Sequence, residues 1–332
     1  MAIVTKILNY FHPDRVVVDY YTFGNFLNAH RNEIDAINLN ILIRKLLLEG
    51  YLMVMREGEA LNPLNTAYQS INFDAAEARY GAYDFKILGF PYIRSIFSKS
   101  VFSFLVKFDD NQKIGTGFLL EFNNQKYILT AKHNVLNNKG FKICISEGEE
   151  AEPRELWITY KGDDFDSSLD ENIDLALLKV DPASIQDLKA FILEKWKVLD
   201  EVLTAGYPPI PGFDAIQFCE TATVAGLIST SGEITGEGNS YIGKQDYFLI
   251  SARVKGGNSG GPVINRSGKV IGIVADIPEN NNQMDSMGYG IVTPMETILK
   301  FLRSVIEETE EVKVKKINIV QENGWTIINK KI

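Results

Sequence analysis

The run Lys255-Gly256-Gly257-Asn258-Ser259-Gly260-Gly261-Pro262-Val263 places four glycines in six positions around one serine, with apolar residues behind it. Glycine reaches backbone conformations closed to other residues and lets another chain approach closely. Such a turn can present the Ser259 hydroxyl while gathering backbone N–H groups beside it. Acyl transfer needs that pairing, a nucleophile together with donors placed where a carbonyl oxygen becomes an oxyanion. A Gly-rich hairpin turn would carry the same glycines without the chemistry, so the partners of the serine must be sought elsewhere in the chain.

Upstream, Tyr127-Ile128-Leu129-Thr130-Ala131-Lys132-His133-Asn134-Val135 sets a histidine at the polar end of an apolar strand. The other two histidines, His12 and His30, have no such setting. In Asn172-Ile173-Asp174-Leu175-Ala176-Leu177-Leu178-Lys179-Val180, Asp174 opens a nearly continuous apolar strand. A carboxylate held there needs a partner, because desolvating an unpaired charge is costly. A histidine N–H suits it. Taken singly, His133 reads as a surface residue and Asp174 as a turn or cap.

Together they stand in the order His133, Asp174, Ser259, spaced 41 and 85 residues apart. With their contexts, Thr130-Ala131-Lys132-His133, Asp174-Leu175-Ala176-Leu177-Leu178 and Gly257-Asn258-Ser259-Gly260-Gly261-Pro262, they resemble chymotrypsin-fold serine proteases. The chain is most similar to the high-temperature-requirement type of bacterial trypsin-like peptidases, over about residues 100–308. The resemblance implies a catalytic triad of His133, Asp174 and Ser259, and an oxyanion hole from the N–H groups of Gly257 and Ser259. It places the substrate pocket at Arg253, Ala275, Asp276, Ile277 and Gly290. Arg253 at the pocket floor would favour acidic substrate side chains, whereas a one-residue shift would turn it out to solvent. Two departures matter. Asn258 stands where digestive relatives pair an aspartate with a freshly cut amino terminus, so that activation route is missing. Asn134 follows the histidine where secreted members carry a disulfide cysteine, in agreement with a reducing compartment.

Short β-like runs separated by turns, Val101 to Phe108, Gly117 to Phe122, Lys126 to Thr130 and Phe141 to Ile145, predict a barrel or sandwich. Residues 147–171 hold ten acidic side chains against two basic ones and read as a solvated loop; residues 278–287 read as another. Ahead of the β region, Tyr21 to His30 and residues 34–54 carry helical patterns, closed by Gly50 and followed by Tyr51 to Met55. Residues 16–75 resemble a winged helix-turn-helix in pattern. Nine Lys and Arg against ten Asp and Glu over residues 1–95 disfavour nucleic acid, since a DNA reader needs clustered cations at the phosphates. Contact with a regulatory protein partner, or plain packing, fits better. Residues 76–98 read as a packed connector.

The 332 residues suggest two domains. A net charge of −9 disfavours anionic partners. No run has the layout of a signal peptide or the length to span a membrane. Cys144 and Cys219 fit no metal spacing, and neither a cofactor nor a metal is expected. These features predict a cytoplasmic protein. After residue 310, alternation through Glu311 to Val320, the Asn323-Gly324 turn and Trp325 to Ile328 predict a β-hairpin, docked on the N-terminal domain or a neighbouring subunit.

The expected architecture is mainly β: a helical domain over 1–95, a two-barrel chymotrypsin-like domain over 96–310 and a hairpin extension over 311–332. The expected function is a serine endopeptidase acting on protein or peptide substrates under control of residues 1–95. Two other readings are a catalytically latent binding protein on the same fold, and a DNA-linked regulator that cleaves itself or a partner. The sequence does not specify the oligomeric state.

Overall fold

The computed structural model describes residues 3–14, 21–59, 62–109, 111–146, 149–160, 173–208, 226–239, 246–275 and 289–329. The chain divides into two compact units, Met1–Ile93 and Arg94–Ile332.

The first unit starts with three helices, α1 (Ile3–Tyr10), α2 (Phe23–Ala29) and α3 (Ala36–Leu48). Thr22 and Asp35 cap α2 and α3 through their side-chain oxygens, satisfying backbone donors that a helix start leaves open. An antiparallel pair follows, β1 (Leu52–Arg56) with β2 (Ala67–Ser70). Then come α4 (Ala75–Tyr80) and α5 (Ala82–Leu88), while α6 (Phe90–Phe97) carries the chain into the second unit. The expected connector is therefore helical; Asp74 caps α4, and Gly81 at φ +92° permits the sharp turn into α5. Phe11, Phe26, Leu39, Ile43, Leu46 and Tyr83 form the core of the first unit.

One buried carboxylate ties its ends together. Asp84, 1% exposed, accepts from Val4 N at 2.9 Å, Thr5 N at 3.3 Å and the Thr5 hydroxyl, capping α1 from α5. Asp84→Ala leaves these donors unpaired in the interior. It is expected to destabilise the protein by about 1–3 kcal/mol, seen as a lower urea midpoint with an unchanged slope. Burial raises the Asp84 pKa against these hydrogen bonds. The native state then holds the proton more tightly than the unfolded chain, so this contribution is lost as pH rises through the raised value. The variant is expected to lack that slope.

The second unit is built of two sets of strands, each around its own core. Its first sheet runs in the order β16-β8-β9-β5-β4-β3-β6-β18-β17, with β7 (Glu149–Ala151) beside β6. Its central strands are β3 (Val101–Lys107), β4 (Gln112–Phe122), β5 (Gln125–Thr130), β6 (Gly140–Ser146), β8 (Pro153–Thr159) and β9 (Ala176–Val180). Phe102, Phe104 and Val106, then Phe141 and Ile143, then Ala176, Leu178 and Val180 supply the core with the strand period of two. Residues 149–159 of the expected acidic loop thus form two strands, in which Ala151, Leu156 and Ile158 are buried. Residues 147, 148 and 161–171 of that segment, and the whole of the second expected loop over 278–287, lie outside the described residues.

After the short helix α7 (Pro182–Ile185), a closed six-stranded barrel takes over, in the order β10-β11-β12-β15-β14-β13. Its strands are β10 (Glu201–Gly206), β11 (Ile228–Asn239), β12 (Asp246–Ile250), β13 (Pro262–Asn265), β14 (Val270–Val274) and β15 (Gly290–Pro294). The helix α8 (Met295–Ile306) follows, with Ile298, Phe301 and Leu302 buried. Among the described residues no helix is long and apolar enough to cross a membrane.

The tail forms β16 (Val314–Ile317), β17 (Ile319–Glu322) and β18 (Trp325–Ile328), with Asn323 and Gly324 both at positive φ in the turn. The expected docking is corrected here. β16 pairs with β8 and β18 pairs with β6, so the tail covers both edges of the first sheet. Open edges present unpaired N–H and C=O groups, and Ile317, Ile319 and Ile328 pack on the adjoining core.

Candidate active site

The pairing of β5 with β9 matches Ile128 to Leu178 and Thr130 to Ala176. Carried two residues further, the same antiparallel register sets Lys132 opposite Asp174, and Lys132 N donates to Asp174 O at 3.2 Å. The chain then makes a single 3-10 turn, Lys132–Asn134, that swings His133 over the aspartate. Both carboxylate oxygens are used. Oδ1 accepts from His133 N at 3.0 Å, and Oδ2 lies 2.5 Å from His133 Nδ1. The Asp174 side chain is 22% exposed and that of His133 39%, so the pair lies at the mouth of a fold whose strands are dry.

Two further side chains sense Asp174. Lys132 donates from Nζ to Ile173 O at 3.0 Å; burial lowers its pKa, with Asp174 working against that. Burial, with the Asp174 charge adding to it, raises the Tyr247 phenol on β12 above its ordinary range.

Ser259 sits between β12 and β13 and is 7% exposed. Its loop is wound tightly: Asn258 N donates to Lys255 O, Gly261 N to Asn258 O and Gly260 N to Val274 O. Among the described residues, the N–H groups of Gly257 and Ser259 make no such bond, although their neighbours at 258, 260 and 261 all do. Two N–H donors beside the serine are thus unused by the described residues. Strand β4 holds the loop from the other side. Thr116 N donates to Ser259 O at 3.1 Å, and Thr116 Oγ1 donates to Gly257 O at 2.6 Å. Asn134, next to the histidine, donates to the same Ser259 carbonyl at 3.1 Å. His133, Asp174 and the Ser259 loop are in this way brought to one place.

The expected pocket residues fare differently. Phe248, Ile250, Ala252 and Val254 all enter the barrel core, which fixes the parity of the strand and its extension. Arg253 has the opposite parity and is exposed; its carbonyl accepts from Thr230 Oγ1 at 2.7 Å. Arg253 therefore points away from the barrel core, as the outward alternative of the sequence reading has it. Gly290 is buried, and Val254 and Ile250 fill the space a side chain would need there. Ala275 is half-buried and donates to Ile291 O at 3.0 Å. Asp276 and Ile277 lie outside the described residues. Among the described residues no group of three or more His, Cys, Asp or Glu side chains could hold a metal ion.

Thr116, Lys132, Asn134 and Tyr247 were not singled out as site residues from the sequence. A signal did exist for one of them: Gly115 and Gly117 bracket Thr116, as expected where another chain passes close.

A family profile described as the trypsin-like peptidase domain matches residues 115–273. A probable periplasmic serine endoprotease, DegP-like, of Rhizobium meliloti is 32% identical over 161 residues, 48% of this chain and 27% of that protein. The serine protease Do-like HtrA of Lactococcus lactis is 25% identical over 170 residues, 50% of this chain and 38% of that protein. The chain thus spans about a third of the length of such curated relatives. Among solved structures, a serine endoprotease from Yersinia pestis is 20% identical with a TM-score of 0.46, over 66% of each chain. These findings overturn the cytoplasmic expectation, since relatives of this kind are described as periplasmic.

Proposed function

We propose that this protein is a serine endopeptidase that hydrolyses peptide bonds of protein substrates through an acyl-enzyme. The observation that carries the proposal is the His133–Asp174 pair held beside a serine loop whose Gly257 and Ser259 N–H groups donate to none of the described residues. In the mechanism, Ser259 Oγ attacks the substrate carbonyl and His133 takes the hydroxyl proton, then delivers it to the leaving amine. Water repeats the sequence on the acyl-enzyme, releasing the acid and restoring Ser259. Asp174 holds the imidazole tautomer and stabilises the imidazolium. The Gly257 and Ser259 N–H groups bind the tetrahedral oxyanion, each contributing about 3–4 kcal/mol in comparable sites. With its relatives, the protein is assigned to the periplasm.

Residues 1–95 fit a winged-helix type of module, with three helices ahead of an antiparallel pair. A protein partner suits it better than nucleic acid. On α3, Ile37 is 74% exposed and Leu48 87%, where a DNA-reading helix would need cations. Regulation of the peptidase through this module is part of the same proposal.

The test is the intact mass of the full chain after exposure to a fluorophosphonate. One adduct on the wild type, absent in Ser259→Ala, is the expected result. No adduct at any pH between 6 and 9 would overturn the peptidase reading and favour a latent, binding role.

A further inference from the structure

Asn134 follows the histidine directly, is 3% exposed, and points its amide nitrogen at three oxygens. Nδ2 lies 3.0 Å from Thr130 Oγ1, 3.1 Å from Ser259 O and 3.4 Å from Thr116 O. All three can only accept. Two are carbonyls, and the Thr130 hydroxyl has already given its proton to Thr116 O at 2.6 Å. This settles which end of the amide faces them, because an oxygen there would meet acceptors alone. The other face of the side chain lies against Gly115, where a Cβ would come within 2.1 Å of Asn134 Oδ1.

The consequence is mechanical. The Ser259 carbonyl receives two hydrogen bonds, from Thr116 N and from Asn134, while Thr116 Oγ1 holds the Gly257 carbonyl. Those bonds fix the peptide units on either side of the Ser259 N–H. The Asn134 bond starts from the turn that carries His133, so it joins the base and the nucleophile through one buried side chain.

We propose that Asn134 is a positioning residue that sets the Ser259 loop against the histidine turn, a hydrogen-bonded cross-tie within the catalytic centre. This rests on the reading of Ser259 as the nucleophile. A displacement of about 1 Å between reacting groups costs on the order of a hundredfold in rate. Asn134 therefore bears on kcat, while substrate contacts, and with them KM, stay as they are.

The experiment uses the full-length chain with Asn134→Asp, which keeps the shape but turns an oxygen toward three acceptors, and Asn134→Leu, which removes the donor. Gly115→Ala displaces the same amide from its other side. Hydrogen exchange of peptides covering 255–263 is expected to quicken at least about tenfold in all three, because the loop amides lose their brace. The fluorophosphonate acylation rate and kcat are expected to fall about ten- to a hundredfold, with KM unchanged. Unchanged exchange in these peptides overturns the cross-tie, whatever the activity. Faster exchange with wild-type acylation overturns its role in positioning. A wild type that takes no Ser259-dependent adduct defeats the peptidase reading instead, and the exchange data still decide whether the tie exists. Should Asn134→Asp fail to fold, Asn134→Leu and Gly115→Ala decide the same points.

Discussion

Asp174→Asn is expected to lower kcat about ten-thousandfold while leaving the fold and KM close to wild type. The reason lies in how the carboxylate is shared. One oxygen accepts from His133 N at 3.0 Å and the other from Nδ1 of the same residue at 2.5 Å. An asparagine has one oxygen and one NH2 group. The backbone N–H of His133 can only donate, so the amide oxygen must face it, and the NH2 then faces Nδ1. Nδ1 is forced to accept, and the ring proton moves to Nε2. The imidazole is then in the wrong tautomer to take a proton from the Ser259 hydroxyl. Nitrogen NMR of the His133 ring, with kcat measured on a peptide substrate, checks both halves of the prediction. A proton retained on Nδ1 with near-normal turnover would remove Asp174 from the proposed triad.

Gly260→Ala is expected to destabilise the protein by about 3–5 kcal/mol and to abolish acylation of Ser259. Gly260 has φ +84°, and a Cβ there would lie 2.2 Å from Thr116 O, 2.6 Å from Thr130 Oγ1 and 2.7 Å from Ala131 N. None of these can retreat cheaply: two belong to the backbone, and Thr130 Oγ1 is bonded to Thr116 O. The added methyl must push the Ser259 loop off β4 and off the strand leading to His133. Gly256→Ala is the contrasting control, because nothing lies within 4 Å of a Cβ at that position. Its melting temperature is expected to stay within about 2 °C of wild type. Thermal unfolding of the two variants checks the contrast, and equal melting temperatures would contradict the close packing described around Gly260.

The strands were legible because both faces of the barrels obey local rules. Short apolar runs bounded by turns, such as Val101–Lys107 and Ala176–Val180, announce themselves, and Asn323-Gly324 announces its turn. The residues His133, Asp174 and Ser259 stood out by motif. Other features escaped because they depend on partners far along the chain. The segment over 149–159 looked like a loop by charge, yet pairing with β6 and β9 makes it two strands. Whether Arg253 entered the barrel core or left it was a question of parity, answered only by Ala252 and Val254, which enter it. The tail was readable as a hairpin, but its docking site consists of the open edges of β6 and β8.

By itself, then, the sequence determined the β-rich architecture, the turn positions and the residue types able to perform acyl transfer, all of which follow from local periodicity and short motifs. Tertiary structure alone decided which of those groups meet. The register of β5 on β9 delivers Asp174 to His133, and Asn134 and Thr116 reach the Ser259 loop across separations of 125 and 141 residues. A hydrogen bond depends on position and direction in space, and no local pattern encodes an approach between segments so far apart in the chain.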